Sequence, residues 1–185
     1  MKFKALHSER IDLVKISKSG LSDMHEYSTN PDFYKYLEYE PFINIEETNE
    51  YLEKLMERSN SEKGHYWFIR LNKGEKIIGT FGLLDINEKK GSTEIGYGLS
   101  PDYWGSGYFK EALMTVLGYL FVDLNFHRVW AKTQSNNIAS IRGLERCGFM
   151  IEGTMRKYYL SANGERYDAI LLSILKDEYY RSVKD

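Results

Sequence analysis

Two hydrophobic patterns with different periods adjoin in the middle of the chain. From Glu94 to Ser100 apolar residues alternate with glycines and polar residues, which predicts a β-strand with one almost bare face. From Phe109 to Phe121 the apolar residues recur every three or four positions, which predicts a helix with a buried stripe. Gly105 and Gly107 lie between these two elements, so we expect them at the N-terminus of the helix.

Similar patterns predict further strands and helices on both sides of this junction. The predicted strands are 11–16, 66–71, 77–84, 93–99, 129–133, 153–160 and 167–175. The predicted helices are 23–29, 45–56, 109–121 and 138–146. Tight turns are predicted at 72–75 and at Asn163-Gly164, and the charged tail from Lys176 is expected to fray. A strand, a helix and a strand in succession imply a right-handed crossover between parallel or splayed strands.

Length and composition favour one folded unit. The 185 residues suffice for one domain with a substantial core, so residues 1–185 are predicted to form a single domain. A formal net charge of −2 argues against bulk binding to nucleic acid or to a membrane surface, which usually leaves a basic stripe. Residues 1–16 contain no long apolar run, so neither a signal peptide nor a transmembrane segment is predicted, and a cytoplasmic location is expected.

Cysteine and histidine usage argues against a metal centre. Cys147 is the one cysteine, which excludes an intrachain disulfide and a cysteine-rich metal cluster. The four histidines, at positions 7, 25, 65 and 127, are scattered without the spacing of metal ligands. The functional site is therefore expected to contain no metal.

The glycine turn before the central helix has the composition of an anion site. The first turn of a helix carries unpaired backbone N–H groups and the positive end of the helix dipole. Gly105 and Gly107 permit positive φ and let an anion reach the main chain without meeting a Cβ. The alternative is a tight turn that merely requires glycine. A nucleotide-hydrolysing loop is excluded, because Gly105-Ser106-Gly107 lacks the downstream Gly-Lys-Ser/Thr that such loops use.

A segment near the N-terminus, residues 32–40, interleaves aromatic and acidic side chains. One interpretation is a short amphipathic helix with a solvated acidic face. The other is the wall of an acceptor pocket that attracts a cationic amine, with Asp32, Tyr36 and Glu38 as substrate-binding residues.

Three segments taken together resemble a known superfamily. SERIDLVKI resembles its opening strand, STEIGYGLSPDYWGSGYFKEA its central strand and pyrophosphate turn, and NNIASIRGLERCGFMIEGTMR its Asn-x-x-Ser helix and the strand that follows. The superfamily is the GNAT superfamily of acetyl-coenzyme A-dependent N-acetyltransferases, and the branch is the RimJ/RimL type, which includes ribosomal-protein N-terminal acetyltransferases. The resemblance covers nearly the whole chain. It implies a mixed α/β (α+β) fold with a central, mostly antiparallel sheet of six to seven strands, splayed at its middle and flanked by about four helices.

The resemblance also implies where acetyl-coenzyme A binds. In the family the pantetheine arm lies like an extra strand in the splay, and the pyrophosphate lies on the N–H groups of the glycine turn. The implied coenzyme-binding residues are Gly98, Leu99, Trp104, Gly105, Ser106, Gly107, Tyr108, Phe109, Asn137 and Ser140. Trp104 stands where the family usually has Arg or Gln, and Phe109 stands where it has a small residue, so the Phe109 ring either narrows the exit of the turn or packs inward. Asn137 is expected to contact the coenzyme arm, to cap its helix, or both.

Acetyl transfer to an amine requires proton transfers at both reacting groups. An alkyl amine has a pKa near ~10 and a thiol a pKa of about 8.5, so the amine must lose a proton and the thiolate must gain one near neutral pH. Glu94 is the first candidate for the base, and the alternative is an ordinary strand-end glutamate. Glu152 is the rival, since it matches the Glu-Gly position proposed for a catalytic role in RimL-type enzymes. Direct attack needs no protein nucleophile, so Cys147 has no obligatory role.

The leaving thiolate has no obvious acid. Many superfamily members place a tyrosine at the position of Leu144 for this role, which is therefore vacant here. Ser140 becomes the candidate that donates a hydrogen bond to the sulfur, and the alternative is a serine that contacts the coenzyme without proton transfer. A backbone N–H near Leu99 would polarise the thioester carbonyl.

Two hypotheses of function follow. The first is an acetyl-coenzyme A-dependent N-acetyltransferase that forms a ternary complex with a primary amine. Its acceptor is either an N-terminal peptide amine or a small amine such as a polyamine, an aminoglycoside or an amino sugar. The second, suggested by the vacant position at Leu144, is a coenzyme A-binding sensor or structural subunit that lost the chemistry. A homodimer is compatible with both hypotheses.

Overall fold

The computed structural model describes residues 3–60, 64–162 and 164–182. The strands are β1 (Leu6–His7), β2 (Ile11–Lys15), β3 (Gly64–Leu71), β4 (Ile77–Asn87), β5 (Ser92–Leu99), β6 (Arg128–Gln134), β7 (Met150–Leu160) and β8 (Arg166–Leu175). The α-helices are α1 (Leu21–Ser28), α2 (Pro31–Tyr34), α3 (Ile45–Asn60), α4 (Tyr108–Gly118), α5 (Ile138–Glu145) and α6 (Lys176–Ser182). One sheet contains these eight described strands in the order β1-β2-β3-β4-β5-β6-β8-β7.

The mixed α/β fold is confirmed, but the predicted numbers of elements are too low. The described part has eight strands rather than six to seven, because β1 is only two residues long and shows no periodicity of its own. It also has six α-helices rather than about four. The described part of the tail predicted to fray, residues 176–182, forms α6, whose Tyr179 packs its ring 5.2 Å from the ring of Phe121. Residues 183–185 of that prediction lie outside the described residues. Asn163 of the predicted turn lies outside the described residues.

The main core lies between the sheet and the central helix. The face of α4 that was predicted to be buried consists of Ala112, Leu113, Val116 and Leu117, each with no exposed surface. These side chains pack against the inward residues of the central strands, such as Ile95. A π-helical turn at Tyr119–Asp123 continues the helix, so the apolar stripe extends beyond α4.

A second core covers the opposite face of the N-terminal half of the sheet. Met24 of α1 and Leu52 and Leu55 of α3 pack against Phe68 of β3. Strands β3 and β4 are therefore buried on both faces, which explains why their sequences read as continuous apolar runs. No helix of the described residues is both long enough and apolar enough to cross a membrane.

The sheet opens between its two central strands. Strands β5 and β6 are parallel neighbours, as the strand-helix-strand order predicts, but their pairing covers only 92–94 with 128–130. Beyond that point β5 stays paired with β4 as far as Leu99, and β6 stays paired with β8 as far as Gln134. The two strands therefore diverge and leave a gap whose edges carry backbone groups without a strand partner. We call this opening the β5–β6 gap.

Candidate active site

The glycine turn lies where β5 is followed by α4. Gly105 and Gly107 have φ values of +73° and +83°, which L side chains rarely adopt, and Gly107 is the N-cap residue of α4. The indole N–H of Trp104 donates to the carbonyl oxygen of Leu99 at 2.7 Å, which ties the turn to the end of β5. Unpaired N–H groups at the start of a helix form a seat for an anion, and this seat adjoins the β5–β6 gap.

The backbone of β5 presents alternate N–H groups to the gap. The N–H of Ser100 donates to Ile78 of β4 at 2.8 Å. Because N–H direction alternates along an antiparallel strand, the N–H of Gly98 also points towards β4, while the N–H groups of Tyr97 and Leu99 point into the gap. Gly98 serves packing instead, since a Cβ there would lie 2.6 Å from the ring of Phe33.

A cluster of hydroxyl and aromatic groups joins β5, α4 and α5 behind the gap. The hydroxyl oxygens of Tyr97 and Ser140 are 2.7 Å apart. The ring of Phe109 lies 4.4 Å from the ring of Tyr97, and a Cβ at Gly143 would lie 3.0 Å from Phe109. The ring of Phe109 thus packs inward, and Gly143 leaves room for it. The Asn137 side chain accepts from the backbone N–H of Ser140 at 3.1 Å, so Asn137 caps α5.

Two residues beside this cluster are enclosed in the core. Leu144, at the position of the family's tyrosine, has no exposed surface. Cys147 is 2% exposed, and burial raises the pKa of its thiol to about 11. A thiol that stays protonated is a poor nucleophile, in keeping with a packing role for Cys147.

Glu94 lies at the point where the gap begins, on the face of the sheet opposite Tyr97. Its carboxylate is 3.3 Å from the ammonium of Lys132, and the two side chains are only 15% and 16% exposed. Lys132 also donates to the hydroxyl of Tyr158 at 2.5 Å. Burial raises the pKa of Glu94 above its usual value, the positive charge of Lys132 opposes that shift, and Asp85 adds to it.

The aromatic and acidic segment borders the same face of the sheet. It forms a one-turn helix, α2, followed by turns, so the amphipathic helix considered for residues 32–40 is not found. Glu38 accepts from the backbone N–H of Leu160 at 3.0 Å, which joins the segment to β7. Negative charges on Glu94 and Glu38 both contribute to the raised pKa of Tyr159, although burial is the main cause. Tyr159 therefore lies within electrostatic reach of both carboxylates.

Asp32 and Tyr36 belong to the same segment as Glu38. Asp32 is exposed in the first turn of α2, and the ammonium of Lys35 lies 5.5 Å from the centre of the Tyr36 ring. Their roles in substrate binding stay predictions.

Glu152 lies in a different environment from Glu94. Both of its carboxylate oxygens accept from the guanidinium of Arg128 at 2.5 Å, and the hydroxyl of Ser173 donates to one of them at 2.6 Å. These hydrogen bonds lower the pKa of Glu152 to about 2. A carboxylate so well satisfied is a weak proton acceptor near neutral pH.

Four side chains near the gap or the turn had no predicted role: Tyr97, Lys132, Tyr158 and Arg10. Lys132 offered a signal in the sequence, because it is a charged residue inside the predicted strand 129–133. Its pairing with Glu94 depends on the register between β5 and β6, and the hydrophobic period of a strand does not predict that register. In the described residues, no group of three or more His, Cys, Asp or Glu side chains could hold a metal ion.

Comparison with known proteins agrees with this geometry. Residues 10–150 match the family described as Acetyltransferase (GNAT) domain. The uncharacterized N-acetyltransferase p20 of Bacillus licheniformis is 30% identical over 176 residues, which are 95% of this chain and 98% of that protein. The crystal structure of a GNAT-family acetyltransferase from Bacillus anthracis has a TM-score of 0.82 at 26% identity, and the match covers 94% of this chain and 99% of that one.

A relative with a named substrate is also similar. The Spermidine N(1)-acetyltransferase of Vibrio cholerae is 24% identical over 172 residues, which are 93% of this chain and 96% of that protein. The spermidine N-acetyltransferase of that species, solved with CoA and spermine, has a TM-score of 0.78 at 23% identity and covers 92% of this chain and 98% of that one. The family match spans most of the chain, so the chain belongs to the GNAT family of acetyltransferases and is an N-acetyltransferase.

Proposed function

We propose that this chain, as a single acetyltransferase domain of residues 1–185, transfers the acetyl group of acetyl-coenzyme A to a primary amine. The attack is direct and occurs in a ternary complex. The observation that supports this most strongly is the β5–β6 gap, which has the anion seat of α4 near one end and Glu94 at the other. A linear thioester whose far end carries phosphates fits such a path.

The residues along the path fit acetyl-coenzyme A. Its pyrophosphate would lie on the N–H groups of the turn from Gly105 to Phe109, where positive φ and glycine leave the backbone open, whereas the N–H of Trp104 already donates to Pro101. The N–H of Leu99 would pair with the pantetheine arm, and Asn137 would contact it only with the atoms that its capping role leaves free. When bound, acetyl-coenzyme A supplies the acetyl thioester.

Glu94 is the proposed base. It lies at the start of the gap, and its raised pKa makes it a better proton acceptor than an ordinary glutamate while Lys132 favours its ionised form. Glu152 is proposed to be structural, because Arg128 and Ser173 already occupy its oxygens.

Ser140 is the proposed hydrogen-bond donor to the sulfur. Tyr97 and Glu94 face opposite sides of β5, so the amine would arrive on the Glu94 side and the thiolate would depart on the Ser140 side. Burial raises the pKa of Tyr97, so its phenol stays protonated and orients the Ser140 hydroxyl rather than releasing a proton itself. The vacant position at Leu144 therefore does not remove every hydroxyl from the leaving-group side.

A small amine with a second positive charge is the proposed acceptor. Negative charge surrounds Glu94, because Asp85 lies within electrostatic reach of Glu94, and Glu38 and Glu94 lie within electrostatic reach of Tyr159. Carboxylates beside an aromatic ring are a combination suited to an alkyl diammonium. The similarity to a spermidine acetyltransferase supports this class. An N-terminal peptide amine, as in the RimJ/RimL branch, is the second class to test.

The test is an acceptor screen that follows acetyl transfer by mass spectrometry. Polyamines, aminoglycosides, amino sugars and peptides with free N-termini are compared, and acetylated diamines are the expected products. Preference for peptides would refute the proposed acceptor, and no transfer to any amine would refute the proposed reaction.

Glu94→Gln tests the base with the best acceptor. We expect kcat/KM to fall by about 10²- to 10⁴-fold and the part of its rise with pH that Glu94 contributes to disappear, because glutamine accepts no proton. An unchanged pH–rate profile and turnover would show that Glu94 is not the base.

A further inference from the structure

Arg10 extends from the turn before β2 to the glycine turn, which is about a hundred residues further along the chain. Its Nη1 donates to the carbonyl oxygen of Ser106 at 2.9 Å. Its Nε donates to Glu111 at 2.6 Å, and its backbone N–H donates to the same carboxylate at 2.7 Å. The guanidinium lies 4.5 Å from the centre of the Tyr108 ring. One side chain therefore contacts the turn and the first residues of α4.

The contact with Ser106 determines which way one peptide group faces. The carbonyl of Ser106 and the N–H of Gly107 belong to the same trans peptide, so they point in opposite directions. Because Arg10 holds the carbonyl of Ser106, the N–H of Gly107 is directed away from that hydrogen bond. Gly107, with φ of +83°, has access to more than one orientation of this peptide, so an external contact is needed to select one.

The contact with Glu111 removes an unfavourable charge. A carboxylate in the first turn of a helix would repel an anion bound at that helix N-terminus. In this structure both of its oxygens are occupied, since the Ser8 hydroxyl donates at 2.8 Å in addition to the two bonds from Arg10. Burial alone would raise the pKa of Glu111, but these hydrogen bonds hold it below its usual value. Glu111 thus stays ionised, with Arg10 beside it.

We infer that Arg10 is a positioning residue for coenzyme binding, which directs the N–H of Gly107 into the pyrophosphate seat and neutralises Glu111 beside it. This inference rests on the proposed function for the identity of the anion. It predicts that Arg10 affects ligands that contain the pyrophosphate and has no effect on the same thioester without it.

The experiment compares coenzyme A with pantetheine, which lacks the pyrophosphate and the phosphoadenosine attached to it. For Arg10→Ala we expect the Kd for coenzyme A, measured by calorimetry, to rise about tenfold, as for the loss of one charge-assisted hydrogen bond. The KM for acetyl-coenzyme A should rise similarly, while the KM for the amine and kcat/KM with S-acetylpantetheine stay unchanged. Arg70→Ala is the matched control, because it also removes an arginine from an ion pair. Arg70 pairs with Asp12, whose side chain is 16% exposed, as is that of Glu111, the partner of Arg10.

Several results would overturn the inference. Parent-like coenzyme A affinity in Arg10→Ala would do so, as would an equal loss of activity with S-acetylpantetheine, which would indicate a general structural role. Arg10→Lys keeps the charge and guards against a variant that fails to fold. Lysine lacks the forked guanidinium that bonds Ser106 and Glu111 together, so we expect Arg10→Lys to recover the coenzyme A affinity only in part. Full recovery would contradict the inference, because the positive charge alone would then explain the effect. A parent enzyme that binds coenzyme A but acetylates no amine would refute the proposed function alone.

Discussion

At the scale of single residues, the pKa of the Glu94 carboxyl group is subject to opposing influences in its ion pair with Lys132. Burial and Asp85 both raise the pKa of Glu94, and Lys132 lowers it. Lys132 is itself held by the Tyr158 hydroxyl and lies 5.2 Å from the Trp130 ring. The pair can therefore tune a base so that it is ionised near neutral pH yet still accepts a proton.

Lys132→Met tests this balance. Without the ammonium only the influences that raise the pKa of Glu94 remain, so Glu94 should stay protonated to a higher pH. We expect the rising limb of kcat/KM against pH to move to higher pH. Lys76→Met is a suitable control, since Lys76 pairs with Glu26 at the surface. A limb that stays in place or moves to lower pH would contradict the role assigned to Lys132.

The contrasting carboxylate, Glu152, should matter for stability rather than for catalysis. Glu152→Gln is expected to lower the free energy of unfolding by about 1–2 kcal/mol at pH 7, because charge-assisted bonds to Arg128 are weakened. The folded pKa, about 2, lies below the usual 4.5, so this stabilisation is complete above pH 4.5 and is lost as the pH falls towards 2. Urea unfolding at pH 7 and at pH 3 measures the difference, which should shrink at the lower pH.

At the scale of elements, β4 and β5 approach each other closely beside the β5–β6 gap. A Cβ at Gly79 would lie 2.3 Å from the carbonyl oxygen of Gly98, so glycine is required where these strands meet. Phe33, from α2, then covers the other face of Gly98. Gly79 and Gly98 are therefore required by strand packing and by ring packing, respectively.

Gly79→Ala should disturb this contact. The clash is with backbone, which cannot rotate away, so we expect the free energy of unfolding to fall by about 1–3 kcal/mol and activity to fall with it. Gly153→Ala is the matched strand control, because a Cβ there meets nothing within 4 Å. Chemical denaturation of both variants is the measurement. Equal stability of the two would show that the backbone clash relaxes without cost.

At the scale of the whole molecule, the gap separates two halves of the sheet that share one core. A ligand in the gap would contact β5, the turn before α4 and the start of α5 together, so it would bind the folded chain and not the unfolded one. We expect coenzyme A at a hundred times its Kd to raise the free energy of unfolding by about 2.7 kcal/mol. Thermal unfolding with and without coenzyme A measures this, and an unchanged transition would argue against a coenzyme site.

The edge of the sheet bears on assembly. Strand β7 lies at the edge and exposes several large apolar side chains: Met150, Ile151, Met155, Tyr158 and Leu160. Such an edge is compatible with the homodimer considered from the sequence. The homodimer stays a prediction, which sedimentation velocity would test.

The sequence by itself determined the elements around the site. Alternation over 94–100, glycines with positive φ at 105 and 107, and the Asn137 cap are local properties of the chain, since backbone preferences and hydrophobic periods act over a few residues. These features were sufficient to predict the strand, the glycine turn and the start of α4, while the splayed sheet was implied by the resemblance to the GNAT superfamily. They underestimated the number of strands, because β1 depends on its partner β2 and not on a pattern of its own.

The tertiary structure alone decided which side chains meet. Glu94 acquires Lys132, Glu152 acquires Arg128, and Ser106 acquires Arg10 through contacts between distant parts of the chain. The register of paired strands and the packing of α4 against the sheet set these contacts, and neither is written in a local period. Two glutamates that were rival bases in the sequence thus differ in the folded chain, because Glu94 is half-buried beside the gap with a raised pKa, whereas hydrogen bonds from Arg128 lower the pKa of Glu152.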